Sequence, residues 1–119
     1  MPERQDESRI ATMPLTTPVN ISADTRLIAS TRRAVLLEER GHRPVLYVPR
    51  DDVAANALIE SATRTRCPYK GEARYFHVTA GGQTFTDAAW AYDAPLAALE
   101  IIAGLVAFNH PAIRVDQLD

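Results

Sequence analysis

The sequence predicts an α+β fold, mainly antiparallel β, in a single compact domain with a β-meander or barrel-like sheet and one or two short helices. Three observations carry this. Short apolar runs recur along the chain, two gaps between runs have hairpin turn chemistry, and one stretch, after Pro95, carries a helical stripe. The length of 119 residues fits one domain able to bury roughly two thirds of the surface its unfolded chain exposes.

Residues 1–19 are charged and punctuated by Pro2, Pro14 and Pro18, so they read as a flexible N-terminal tail, with the mainly-β domain over 20–119. Leu27-Ile28-Ala29, Ala34-Val35-Leu36-Leu37 and Val45-Leu46-Tyr47-Val48 are apolar-rich, and Gly41 to Pro44 is a turn between the last two. Over Arg32 to Arg40, Leu and Glu favour helix whereas the short turn into the next run favours a hairpin; strand is the preferred reading. Asp51 is placed to cap a short helix over Val53 to Ile59, with Asp52 in its first turn. The alternative for these adjacent aspartates is metal ligation.

Cys67-Pro68-Tyr69-Lys70-Gly71 reads as a four-residue hairpin loop, because Pro presets the first turn residue and Gly takes the left-handed position. Ala80-Gly81-Gly82-Gln83 is a second hairpin signal, since a primed turn needs positive φ angles. Thr63 to Cys67, Glu72 to Thr79 and Gln83 to Tyr92 then form a meander. Asp93 and Pro95 open a helix with the stripe Leu96, Leu99, Ile102 and Ala103, ended by Gly104. Leu105 to Phe108 is a last short strand.

Charge and composition exclude several functions. The net charge is −2, and the dense cationic stretches, Arg32-Arg33 and Arg64-Thr65-Arg66, are too short to track a phosphate backbone, so no nucleic-acid partner is expected. Ile101 to Phe108 is far shorter than the roughly 20 residues of a membrane-spanning helix, so no membrane partner is expected. A single cysteine, no leader pattern over Met1 to Thr17, and histidines only at 42, 77 and 110 point to a cytoplasmic protein without a zinc site. No cofactor is indicated either way.

Pairing arithmetic from the two loops sets Arg66 opposite Ala73, Arg64 opposite Tyr75, and Ala73 opposite Trp90. It gathers Arg64, Arg66, Tyr75, His77, Thr84, Thr86, Trp90 and Tyr92 on one face, and Phe76, Val78, Phe85 and Ala89 on a core face. Guanidinium forks, aromatic walls and an imidazole suit a small anion with a planar group, so Arg64, Arg66, Tyr75, His77, Trp90 and Tyr92 form the expected ligand site. The bland alternative is a second core layer, with the arginines stacked over Trp90 and Tyr75. Cys67, Lys70 and His77 are the catalytic candidates. Cys67 lies between Arg66 and Lys70, as an activated thiol or as a small buried hydrophobe at a strand end. Lys70 is the sole lysine, a tunable amine or an exposed turn residue. His42 and His110 read as solvated loop residues without partners.

The runs Pro44-Val45-Leu46-Tyr47-Val48-Pro49-Arg50-Asp51-Asp52-Val53, Thr65-Arg66-Cys67-Pro68-Tyr69-Lys70-Gly71, Ala89-Trp90-Ala91-Tyr92 and Leu105-Val106-Ala107-Phe108 together resemble the bacterial domain-of-unknown-function family four-twenty-seven, from Asn20 to Asp116. The resemblance implies a compact, mainly β domain and no established reaction. That family is sometimes labelled nucleotidyltransferase-like, but the sequence lacks a Gly-Ser loop followed by alternating aspartates. Three functions follow as expectations: binding of a small anionic or aromatic metabolite, a homodimeric interaction module, and a nucleotidyltransferase-like enzyme.

Overall fold

The computed structural model describes residues 9–118. Within them the strands are β1 Ile10–Pro14, β2 Val19–Ala23, β3 Arg26–Thr31, β4 Val35–Glu39 and β5 Val45–Tyr47, then β6 Leu58–Cys67, β7 Gly71–Ala80, β8 Gln83–Ala91, β9 Val106–Phe108 and β10 Ile113–Gln117. Short 3-10 segments lie at Arg50–Asp52 and Ala97–Ile102. All pairing is antiparallel, in three sheets ordered β1-β4-β5, β10-β2-β3 and β6-β7-β8-β9. Val48 and Val106 exchange backbone hydrogen bonds of 2.9 and 2.8 Å, which tie the end of β5 to β9. The sheets do not close into a barrel.

The four-stranded sheet contributes to both apolar clusters because its side chains alternate. Phe76, Val78, Phe85, Ala89 and Ala91 point toward Val19, Ile21 and Ile28 of β2 and β3. Ala73, Tyr75, Trp90 and Tyr92 belong with Val35, Leu37 and Tyr47 of β4 and β5. The expected core face, Phe76, Val78, Phe85 and Ala89, is therefore the observed one, and Val35 to Glu39 is strand.

Four expectations need correction. The tail over residues 1–19 reaches too far: Ile10–Pro14 pair with Val35–Glu39, because that strand needs a partner for its free edge, and β2 begins at Val19. Residues 1–8 lie outside the described residues. The helix over Val53 to Ile59 does not form. Helical structure there is confined to Arg50–Asp52, and Leu58 and Ile59 open β6, where they pair with Val78 and His77. The helix after Pro95 is a 3-10 segment kinked at Leu99; Leu99 and Ile102 are buried as the stripe requires, but Leu96 is exposed. Finally, Ile113–Gln117 pairs with β2 as a strand that the polar C-terminal composition conceals.

The two hairpins differ in outcome. Ala80 pairs with Gln83 across Gly81 and Gly82, at φ +58° and +81°, the primed turn the glycines signal. In the other hairpin Cys67 pairs with Gly71, leaving Pro68-Tyr69-Lys70 as a three-residue loop rather than four. Arg66 therefore faces Glu72, and Arg64 faces Arg74. A one-residue slip moves each side chain to the other face.

Gly71 has φ +120°, and a Cβ there would lie 3.4 Å from Ala94 O and Pro95 Cα. Gly71→Ala is expected to lower unfolding free energy by about 1 kcal/mol or more, read from denaturant melts. Deleting residues 1–14 is expected to lower the melting temperature clearly, because it strips β1 from β4; an unchanged melt would show that β1 adds nothing.

Candidate functional site

A cavity of about 630 Å³ opens between the β4–β5 hairpin and the four-stranded sheet. Period-two alternation builds both walls. On β4 the row Val35, Leu37, Glu39 faces inward, and on β5 so do Val45 and Tyr47. From the opposite sheet Cys67, Tyr75, Trp90 and Tyr92 line the space, with Lys70 from the three-residue loop. Arg9, His42, Arg43, Asp87 and Asn109 add polar groups to the lining.

Lys70 organises the floor. Its backbone carbonyl accepts from Leu96 N at 2.9 Å, which folds the loop inward, and the side chain is 11% exposed. Nζ donates to Glu39 Oε1 at 2.6 Å and reaches Cys67 Sγ at 3.7 Å. Glu39 Oε2 also meets Arg9 Nε at 3.4 Å and His42 Nε2 at 4.0 Å. Burial pushes the Glu39 carboxyl up, but the Lys70 hydrogen bond and the Lys70, His42 and Arg9 charges together hold it below its ordinary range. Of the two readings of Lys70, the exposed turn residue is therefore ruled out by its burial. Cys67 is half-buried, not sealed in the core.

The aromatic wall is polar at its edges. Trp90 Nε1 donates to the Tyr47 hydroxyl at 3.3 Å, and the Tyr75 and Thr65 hydroxyls lie 3.2 Å apart. Tyr75 and Trp90 are tilted neighbours with ring centroids 6.3 Å apart. Burial pushes the Tyr47 phenol up to about 12 and raises Tyr92 further, so both are neutral hydroxyls at physiological pH. Tyr92 is 7% exposed, lines the cavity, and has no hydrogen-bond partner among the described residues.

Of the expected ligand residues, Tyr75, Trp90 and Tyr92 come together here, whereas Arg64 and Arg66 do not. Thr65, not either arginine, shares the Tyr75 face, and Arg64 instead lines a separate, smaller groove with Glu72, Arg74 and Asp93. The shorter loop is the cause. Arginine–aromatic stacking does occur, but by Arg50 and Arg74 on Phe76 and by Arg9 on Tyr69.

His77 lies outside the cavity lining. β6 and β8 each bulge beside β7, so that Ser61, Ala62 and Thr63 oppose Tyr75, and Thr86, Asp87 and Ala88 oppose His77. Asp87 sits at φ +51°; its N–H donates to His77 Nδ1 at 3.1 Å, and its carboxylate accepts from the Ser61 and Thr63 hydroxyls. The Ser61 and Thr63 hydrogen bonds hold that carboxyl below its ordinary value. His77 Nδ1 is therefore an acceptor, occupied in fixing the bulge.

The remaining candidates have structural duties. Asp52 accepts from Thr31 Oγ1 at 2.6 Å and Arg33 at 3.2 Å, pinning β3 to the 3-10 turn. His110 Nδ1 accepts from Ala112 N at 3.0 Å and its ring meets Phe85 edge-on, so both loop histidines have partners after all. Among the described residues no group of three or more His, Cys, Asp and Glu is placed to hold a metal ion, and no helix is long and apolar enough to cross a membrane. Sequence reasoning missed Glu39, Tyr47 and Arg43. The signal for Glu39 was present as the third inward position of β4.

A family model described as Domain of unknown function (DUF427) matches residues 11–119, and the chain belongs to that family. No curated protein matches it.

The Glu39–Lys70 pair makes stability pH-dependent in one direction. Because folding lowers the Glu39 value, the contribution is complete above the ordinary carboxyl value of 4.5 and is lost as pH falls through the depressed folded value. Glu39→Gln is expected to cost about 3 kcal/mol at neutral pH, since it strands a buried ammonium, and to flatten this part of the acid limb. Thermal melts across the acid range check both effects.

Proposed function

We propose that this DUF427 domain binds a small molecule carrying an anionic group and a planar group, in the cavity between the β4–β5 hairpin and the four-stranded sheet. The observation that carries this is a buried ion pair at the floor of an open, aromatic-walled space of about 630 Å³. Cavities of that size with few convergent polar groups are where small ligands bind. A buried pair rarely adds stability over an apolar replacement, so its presence beside solvent-accessible space suits a binding role.

Charge supports an anion. Arg9, Arg43 and Lys70 face the space against Glu39 and Asp87, an excess of positive charge. Arg9 and Lys70 are engaged with Glu39, whereas Arg43 has no ion-pair partner among the described residues. Arg43 therefore takes the role first expected of Arg64 and Arg66, and its planar fork suits carboxylate or phosphate. Trp90, Tyr75 and Tyr92 supply flat surface for the ligand's planar part at little entropic cost.

A thermal-shift screen of nucleotides, acyl phosphates and aromatic acids tests this reading. At least one class is expected to stabilise the wild type, with Arg43→Ala weakening the hit about tenfold and Trp90→Leu weakening it more. Absence of any hit, or a hit that stabilises both variants as it does the wild type, would contradict it.

A further inference from the structure

We infer that the ligand of this cavity is a phosphodiester with its charge in the middle: Arg43 holds the phosphate, a planar group lies on one side of it, and an aliphatic chain on the other side occupies a second cavity. The inference rests on the first cavity being the ligand site. It adds a subsite and fixes the order of the ligand's parts.

Two observations carry it. The first is a cavity of about 500 Å³ whose apolar lining is Pro44, Leu46, Phe108, Ile113 and Val115. It exists because β5 and β10 are edge strands of different sheets, and the bridge that ties β5 to β9 lies beyond its far end, at Val48 and Val106. Space therefore remains between residues 44–46 and 113–115. Alternation along β10 turns Ile113 and Val115 to that space, while Arg114 and Asp116, paired at 3.1 Å, stay out of its lining. His110 also lines it, and is fixed there: Ala112 N donates to its Nδ1 at 3.0 Å and its ring meets Phe85 edge-on. A preformed apolar wall takes an aliphatic chain at little ordering cost.

The second is the border between the two cavities. Arg43, Val45, Trp90 and Asn109 line both of them. Of these four Arg43 alone is charged, and it has no ion-pair partner among the described residues. On the first side Trp90 and Tyr75 form the flat wall, with ring centroids 6.3 Å apart. An anion on Arg43 therefore sits between an aromatic wall and an aliphatic chamber, and a ligand that fills both must extend from its charge in two directions. A carboxylate ends a chain, whereas a phosphodiester keeps its charge with a substituent on each side. Continuity with the first cavity and charge complementarity at Arg43 thus name the occupant of the second: the aliphatic end of such a diester.

The probes are phenyl alkyl phosphates with methyl, butyl and hexyl chains, together with 4-hexylphenyl phosphate, the isomer of the hexyl diester with its charge at one end. Dissociation constants are measured by titration calorimetry on the full chain. Affinity for the diesters is expected to rise about threefold per methylene. The hexyl diester should bind about tenfold or more tightly than its isomer, although the isomer, a monoester, carries the greater charge. Arg43→Ala should weaken all three diesters by one common factor of about tenfold. Val115→Trp fills the second cavity, so it should abolish the gain with chain length and leave the methyl diester at wild-type affinity. Ile113→Trp fills the same space from the other end of the strand and serves if the first variant lowers the melting temperature. Affinity that does not rise with chain length, an isomer that binds as tightly as the hexyl diester, or a chain-length gain that survives both tryptophan variants would overturn the inference. No binding by any diester would overturn it as well; if aromatic acids still stabilise the wild type, the first cavity stands as the ligand site and only the tail chamber and the central charge are lost.

Discussion

The Lys70–Glu39 ion pair is the contact on which the rest of the site depends. It joins the inward row of β4 to the loop between β6 and β7, so it spans two separate sheets. Both side chains are about nine-tenths buried, and desolvating such ions costs several kcal/mol each before their attraction is counted. Arg9 and His42 share the load on Glu39, while Leu96 fixes the loop backbone. The consequence is a charged floor that apolar packing alone would not produce. Cys67 stands over it because the same loop that delivers Lys70 begins at that residue.

Above the floor, alternation along β7 and β8 divides labour between two faces. Phe76 and Ala89 close the main core against β2 and β3, while Tyr75 and Trp90, one residue along each strand, wall the cavity. The coincident bulges keep that wall in place. Asp87 ties the β6 bulge to the β8 bulge through Ser61 and Thr63, and its backbone holds His77. Backbone at positive φ in a non-glycine residue is tolerated when its surroundings over-determine it, as these bonds do.

Local chemistry made most of the meander legible. Gly81-Gly82 and Gly71 announced their turns, and the alternation of Phe76, Val78, Phe85 and Ala89 announced the core face. The failures have physical causes. Loop length decides parity, so a three-residue loop where four were expected moved Arg64 and Arg66 off the aromatic face. Bulges carry no dependable sequence mark, which hid the role of Asp87. The partner of Lys70 lies thirty-one residues away on a different sheet, and short-range pattern holds no information about such a contact. Ile10–Pro14 looked like tail because it is an edge strand of mixed polarity, ordered by pairing rather than by burial.

The central claim is that the ion pair is kept for what it does in the cavity and not for fold stability. Replacing it by an apolar pair of similar size, Glu39→Leu with Lys70→Met, measures this directly when melting temperature is read on the same protein with and without the ligand class that stabilises the wild type. The expected result is a melting temperature equal to or above that of the wild type, as apolar replacement of buried ion pairs often gives, together with loss of the ligand-induced shift. A double variant that keeps the wild-type ligand-induced shift, or one that unfolds at markedly lower temperature, would contradict this role for the pair.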